Sequence, residues 1–184
     1  MKRLILVPAA ATLLFLASCG GNGSNESTTT TPDSVDTSAS SAATAAPGSD
    51  IPGIDTVAVT DNIKIDGMDN MKYDRDLFKV KSGQKITLTL KNIGKQPKAA
   101  MSHNVVILQQ GTDIQAFGEA AVPAAATEHI PASMASDVIA HTKLLGPGES
   151  DTITFTLTEP GVYDFICTFP GHFGTMKGKI VAVP

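Results

Sequence analysis

The feature that most constrains this chain is a ten-residue stretch near its end, Cys167-Thr168-Phe169-Pro170-Gly171-His172-Phe173-Gly174-Thr175-Met176. It places a thiol, an imidazole and a thioether in one loop, because four residues separate Cys167 from His172 and three separate His172 from Met176. Pro170 and Gly171 favour a tight turn that can aim the neighbouring side chains at one point. A fold that holds both ends of this loop can therefore bring these side chains to a common centre.

The three side chains form most of a metal ligand set. A soft thiolate, imidazole nitrogens and a weak axial Met are typical of one-electron copper sites, in which a second His completes a trigonal plane. His103, in Met101-Ser102-His103-Asn104, can supply that second imidazole. Structural zinc sites favour several Cys or His ligands in a closed tetrahedron. The sequence therefore predicts one copper ion, held by His103, Cys167, His172 and Met176. Each residue alone would more often be an ordinary core or surface side chain, so the prediction depends on their combination.

Period-two patterns predict the fold class. Residues 86–91 and 152–157 alternate between apolar and polar side chains, as half-buried antiparallel strands do. Residues 105–108 are continuously apolar, which favours a strand that is covered on both faces. Residues 112–136 are Ala-rich and weakly periodic, so we expect a small helical flap there. The prediction is an all-β, Greek-key β-sandwich of about seven to eight strands with this flap.

The ligand loop, together with Val138-Ile139-Ala140-His141-Thr142-Lys143-Leu144-Leu145-Gly146 and Pro97-Lys98-Ala99-Ala100-Met101-Ser102-His103-Asn104, closely resembles the azurins, bacterial blue-copper proteins of the cupredoxin family. The resemblance spans residues 57–183. It implies the cupredoxin fold and a type 1 copper centre that cycles between Cu(I) and Cu(II). It also implies an electron carrier and not an enzyme. On the axial side opposite Met176, it implies a weak contact from the backbone carbonyl of Ser102, where the family usually has Gly.

The resemblance also assigns roles around the ligands. Asn104 matches the residue that ties the two ligand segments together in azurins, and a simple turn residue is the alternative interpretation. The backbone N–H groups of Asn104 and Phe169 would donate to the Cys167 sulfur and stabilise the reduced site. The electron would leave through His172, under an apolar docking patch. By residue matching, the patch would contain Met71, Gln96, Ala100, Met101, Val122, Phe169 and Gly171.

Two histidines remain outside the predicted site. His141 resembles a surface His of azurins that lies away from the copper. His129 has no match in the family, and we interpret it as a solvated residue of a helix. Neither has the spacing of a copper ligand. We expect a monomer whose partners are redox proteins, such as c-type cytochromes or a terminal reductase.

The start of the chain predicts export. A basic tripeptide, Met1-Lys2-Arg3, precedes an apolar run over 4–17, as in secretory signals. The sequence Leu16-Ala17-Ser18-Cys19 resembles a lipoprotein cleavage site, so residues 1–18 would be removed and Cys19 would be lipidated. Several acyl chains anchor a protein stably, which places it on the periplasmic or outer face of a bacterial membrane. An ordinary signal peptide with an incidental Cys is the alternative.

Composition divides the remainder of the chain. Residues 19–52 are rich in Gly, Ser, Thr and Ala, and such a segment should form a disordered tether. Residues 53–184 would form one blue-copper domain. The chain carries 14 basic and 18 acidic residues, a net charge of −4, which argues against binding nucleic acid.

Copper delivery or storage is the alternative function. A single Cys in a constrained loop favours retention of the metal over release. Catalytic copper domains need more histidines or a second copper site, and the chain has four histidines in all. Its two cysteines are assigned to lipid and copper, so we expect no disulfide.

Overall fold

A computed structural model describes residues 45–184. The predicted signal peptide, Cys19 and most of the predicted tether lie outside these residues, and the domain boundary at residue 52 stays a prediction. Across 45–184, no helix combines the length and the apolar character needed to span a bilayer.

Nine strands in the described residues form two sheets. They are β1 Asn62–Met68, β2 Lys72–Tyr73, β3 Leu77–Lys81, β4 Lys85–Asn92, β5 Val106–Leu108, β6 Val138–His141, β7 Ser150–Thr156, β8 Gly161–Ile166 and β9 Lys177–Val183. One sheet has the order β2-β1-β4-β7 and the other β3-β9-β8-β5-β6. The pairs β1–β4 and β3–β9 are parallel, and the other pairs are antiparallel. The predicted all-β sandwich is confirmed, and the two-residue β2 brings the count to nine.

The strands form where the period-two pattern places apolar side chains on one face. In β4, Ile86, Leu88 and Leu90 are at most 1% exposed, whereas the residues between them are partly exposed. These side chains and the inward residues of β8 and β9 fill one core between the sheets. β5 differs because all three of its residues are buried. Ile107 packs in the main core, while Val106 and Leu108 belong to a second cluster under the flap.

The flap contains the helix α1, Ile114–Ala121, and two 3-10 turns, Ala125–Thr127 and Ala132–Asp137. Asp113 caps α1, since its side chain accepts hydrogen bonds from the backbone N–H groups of Gln115 and Ala116. The helix buries Phe117 against a cluster formed with β5 and β8. The predicted flap is therefore present, and it covers the outer face of the five-stranded sheet beside the ligand loop.

Candidate metal centre

Three of the predicted ligands converge at one end of the sandwich. The ligand atoms of His103, Cys167 and His172 all lie within 4.8 Å of one another, and the three residues are buried. The Cys167 Sγ is 3.6 Å from the His172 Nδ1, and the centroids of the two imidazole rings are 5.1 Å apart. Residues that are 64 positions apart in the chain are therefore brought together at a distance suited to a single ion.

His103 is held by the strands around it. Its backbone N–H donates to the Leu145 carbonyl at 3.0 Å, and the Leu145 N–H returns a bond to the His103 carbonyl at 2.8 Å. Gly67 of β1 lies against the imidazole, where a Cβ would be only 2.9 Å from the ring. Sequence reasoning missed Gly67. Any larger side chain there would displace His103, so this glycine creates the space for the ring.

The ligand loop is closed by its own backbone. The Cys167 N–H donates to the Met176 carbonyl at 2.9 Å, and the Met176 N–H donates to the His172 carbonyl at 2.8 Å. The His172 N–H donates to the Phe169 carbonyl at 3.0 Å. Gly171 has a φ of 84°, a left-handed conformation that favours glycine. Cys167 and Met176 are both fully buried, so the loop presents sulfur atoms to the interior from both of its ends.

Ser102 is buried, and its backbone carbonyl oxygen is 4.0 Å from the Cys167 Sγ. Its hydroxyl donates a hydrogen bond to the Lys98 carbonyl. The Ser102 side chain is thus occupied by a local bond, and its carbonyl lies beside the cluster of ligand atoms.

Asn104 links the two ligand segments. Its Oδ1 accepts from the Thr168 backbone N–H at 2.9 Å, and its Nδ2 donates to the Thr168 hydroxyl at 2.8 Å. The Asn104 carbonyl in turn accepts from the Tyr73 hydroxyl at 2.6 Å, in the core. Because Thr168 follows Cys167 directly, the side chain of Asn104 fixes the position of one ligand relative to the other.

Burial sets the protonation of the site. It raises the pKa of the Cys167 thiol to about 12, although the backbone N–H groups of Asn104 and Phe169 act in the opposite direction. It lowers the pKa of His172 to about 4, with a smaller contribution from His103. Burial also lowers the pKa of His103, against the opposing effect of the Asp69 carboxylate. Near neutral pH both imidazoles are therefore uncharged and have a free lone pair.

This donor set fits a metal ion. Neither buried ring nitrogen of His103 makes a hydrogen bond of normal geometry, although the nearby Met68 backbone acts to raise the pKa of this histidine, and an unpaired buried polar group is costly. A thiol with so high a pKa stays protonated in the apolar interior unless a cation stabilises its thiolate. A bound metal ion would take one ring nitrogen of His103 and would stabilise the Cys167 thiolate, with release of the thiol proton. Sulfur and imidazole donors in this arrangement suit copper better than calcium or magnesium, which prefer oxygen ligands.

The predicted docking patch has an exposed part and a partly covered part. Met71 and Val122 are 37% and 46% exposed, and Gly171, Gln96 and Ala100 are also exposed. Met101 and Phe169 are half-buried, and the Phe169 ring centroid lies 4.9 Å from that of His172. His172 itself is only 2% exposed.

The interpretation of His129 as a solvated helix residue is wrong. His129 is 8% exposed and follows the turn Ala125–Thr127 with a φ of 63°. Its Nδ1 lies 3.0 Å from the Ala121 carbonyl, and its ring meets Phe169 edge-on with the centroids 5.7 Å apart. The local sequence carried no signal for this position, since the contact depends on the flap packing against the ligand loop. His141, in contrast, is exposed in β6, as expected.

Comparison with known proteins agrees with a copper-binding site. Residues 59–183 match the model for copper binding proteins of the plastocyanin/azurin family. Azurin of Alcaligenes faecalis is 37% identical over 131 residues, which cover 65% of this chain and 95% of that protein. Outer membrane protein H.8 of Neisseria gonorrhoeae is 39% identical over 122 residues, or 65% of this chain and 66% of that protein.

Solved structures agree with the fold. Reduced auracyanin of Roseiflexus castenholzii superimposes with a TM-score of 0.62 at 40% identity, covering 69% of this chain and all of that one. An azurin of Methylomonas sp. strain J superimposes with a TM-score of 0.60 at 24% identity, over 67% of this chain and 98% of that one. The fold and the buried histidine–cysteine cluster define a cupredoxin. The chain belongs to the plastocyanin/azurin family of copper-binding proteins, and its cofactor is one copper ion.

Proposed function

We propose that this protein is a one-electron carrier that uses a mononuclear type 1 copper site. The observation that carries the proposal is the buried cluster of His103, Cys167 and His172, whose ligand atoms lie within 4.8 Å of one another. These three residues would be the strong ligands. Met176 would be the axial thioether, and the Ser102 carbonyl would be the weak contact on the other side. A bound copper ion supplies a couple between one and two positive charges.

The residues around the site are suited to fast electron transfer. Rigid backbone bonds hold His103 on the strand side, and the hydrogen bonds of the ligand loop hold the other ligands. A frame that resists movement keeps the geometry similar in both oxidation states, so little reorganisation accompanies the transfer. The N–H groups of Asn104 and Phe169 act on the Cys167 sulfur, which stabilises the reduced site. Copper delivery or storage is less well supported, because the three ligands are at most 2% exposed and release would require opening the loop.

Titration of the full-length chain with copper(II), followed by visible absorption, tests the site. We expect an intense blue band from charge transfer between the Cys167 thiolate and copper(II). Cys167→Ser should abolish the band, because a hydroxyl is a hard and poorly ionised ligand. Cys19→Ser is the matched control and should keep the colour. A blue band that survives Cys167→Ser would refute the ligand assignment.

We also propose that the carrier is exported and tethered to a membrane through Cys19. The sequence of residues 1–19 supports this, and so does the similarity to a relative named as an outer membrane protein. Cys19→Ala should abolish incorporation of a fatty-acid analogue during growth, whereas Cys167→Ala should leave it unchanged. Persistent label on Cys19→Ala would disprove lipidation at this residue.

The partners we propose are redox proteins such as c-type cytochromes or a terminal reductase, which would dock on the apolar patch over His172. Its exposed members, Met71 and Val122, support this assignment. Stopped-flow mixing of the copper(II) protein with a reduced c-type cytochrome should bleach the blue band at the rate at which the cytochrome is oxidised. An absence of transfer would contradict this choice of partner.

A further inference from the structure

Two adjacent residues of the flap adopt a conformation that is rare for side chains of their type. Glu128 and His129 have φ values of 55° and 63°, in the left-handed region that non-glycine residues seldom occupy. Such conformations persist where the surrounding structure determines them, and they often mark functional positions. Here the backbone is held by bonds from the Glu128 N–H to the Ala125 carbonyl at 3.3 Å and from the His129 N–H to the Ala124 carbonyl at 2.9 Å. This turn directs the His129 ring toward the ligand loop.

A hydrogen bond fixes the orientation of the His129 ring. The Nδ1 atom is 3.0 Å from the carbonyl oxygen of Ala121, near the end of α1. A carbonyl oxygen can only accept, so Nδ1 must carry the hydrogen and donate it. With 8% of the residue exposed, the ring has little freedom to turn. Its orientation is therefore as well defined as that of a core side chain.

The His129 ring contacts the ring of Phe169, which in turn packs against the predicted ligand His172. The His129 and Phe169 centroids are 5.7 Å apart with an interplanar angle of 73°, an edge-to-face contact. Phe169 in turn lies 4.9 Å from His172, at an angle of 54°. The preceding residue reaches the other ligand segment, because the Glu128 carbonyl accepts from the Asn104 Nδ2 at 3.4 Å. The turn at 128–129 thus contacts both segments that carry predicted ligands: Phe169 in the ligand loop and Asn104 beside His103.

We infer that His129 is a positioning residue of the copper centre, which acts through the Phe169 ring on the orientation of His172. The inference rests on the proposed function. The physical basis is that residues outside the coordination sphere orient the ligands and tune the metal. Phe169 is half-buried, so the contact with the His129 ring limits the positions available to the Phe169 ring. Phe169 restrains His172, whose Nδ1 faces the Cys167 sulfur.

Three substitutions in the full-length chain separate the ring contact from the hydrogen bond. His129→Asn retains a donor at the position of Nδ1 and tolerates the left-handed conformation, but it removes the ring edge. His129→Phe retains a ring and removes the donor. His141→Asn makes the same change on an exposed histidine of β6 and is the matched control. The readouts are the reduction potential, the copper(II) hyperfine splitting in electron paramagnetic resonance, and the His172 ring proton shifts in NMR spectra of the metal-free protein.

We expect His129→Asn to change the potential, the hyperfine splitting and the His172 ring shifts, and His141→Asn to change none of them. His129→Phe should lie closer to the wild type than His129→Asn does. The inference is overturned if His129→Asn matches the wild type in all three readouts and changes only the unfolding temperature. It is also overturned if His129→Phe departs further than His129→Asn while its unfolding temperature stays at that of the wild type, because backbone strain is then excluded and the hydrogen bond alone would matter. A wild-type chain without a blue band would refute the proposed function, whereas the metal-free NMR spectra would still test the ring contact.

Discussion

The ligand loop, residues 167–176, and the flap, residues 112–136, lie side by side but depend on different kinds of contact. The loop is fixed by short-range backbone bonds, such as those from the His172 N–H to the Phe169 carbonyl and from the Met176 N–H to the His172 carbonyl. The flap has local backbone bonds as well, but it is held on the sheet by side chains that pack on distant strands, above all Phe117 in its cluster with β5 and β8. A loop with local bonds keeps its geometry wherever its two ends are held. A flap of this kind has a defined position only when the sheet beneath it is folded.

The two regions meet at two places. Phe173 of the loop packs against Gly118 of α1, where a Cβ would be 2.4 Å from the ring. His129 packs on Phe169. The flap also contacts the His103 segment, because the Glu128 carbonyl accepts from the Asn104 side chain. The flap therefore packs against the ligand loop of the metal centre as well as against the sheet. Substitutions that disrupt the contacts of the loop and of the flap separately should show which region contributes more to the stability of the metal centre.

The largest expected loss of stability follows from breaking the hydrogen bonds that link the ligand loop to the His103 segment. Asn104→Ala would leave the Thr168 N–H and hydroxyl unpaired in the interior. Because buried unpaired groups are costly, we expect a loss of about 2–3 kcal/mol in the free energy of unfolding, measured by urea denaturation. Asn62→Ala, at the exposed start of β1, is the matched control and should change stability little. A loss no larger than that of the control would mean that the loop keeps its shape without this tie.

A smaller effect is expected where the flap contacts the loop. In Gly118→Ala the new methyl group would overlap the Phe173 ring, although alanine favours the helix. Overpacking outweighs the helical gain, so we expect a net loss of about 1–2 kcal/mol in the free energy of unfolding and a shifted copper spectrum. The same substitution at Gly174, where a Cβ would meet nothing within 4 Å, is the control. If Gly118→Ala stabilised the protein and left the spectrum unchanged, the packing of the flap against the ligand loop would not contribute to the site.

The same contrast explains what the sequence could predict. The grouping of Cys167 and His172 could be predicted from their spacing, because Pro170 and Gly171 set a local turn. The alternating strands were found because burial of one face imposes a period of two. Gly67 and His129 could not be found in this way. Gly67 matters only because β1 passes beneath the His103 ring, and His129 is buried only because the flap closes on Phe169. Both depend on contacts between segments far apart in the chain, which no local pattern encodes.

The smallest effect on stability is expected from a substitution at Val122. This substitution tests whether the flap and the ligand loop share one docking surface. This residue directly follows α1 and is 46% exposed, so the flap supplies part of the proposed docking patch and the loop supplies Phe169 and Gly171. Val122→Lys should leave the copper spectrum and the unfolding free energy near the wild type, since the side chain is not in the core. If the electron leaves through the proposed docking patch, self-exchange places two identical patches face to face, and each encounter would bring two ammonium groups together.

We expect Val122→Lys to slow electron self-exchange by about tenfold at low ionic strength, with recovery as salt is added. Line broadening in NMR spectra of mixed oxidation states measures this rate. His141→Lys adds the same charge at an exposed position in β6 and corrects for the change in net charge. If both variants slowed equally, net charge would be the cause. If neither slowed, the electron would leave by a face to which the flap does not contribute, and the role of the flap would be limited to holding the ligand loop.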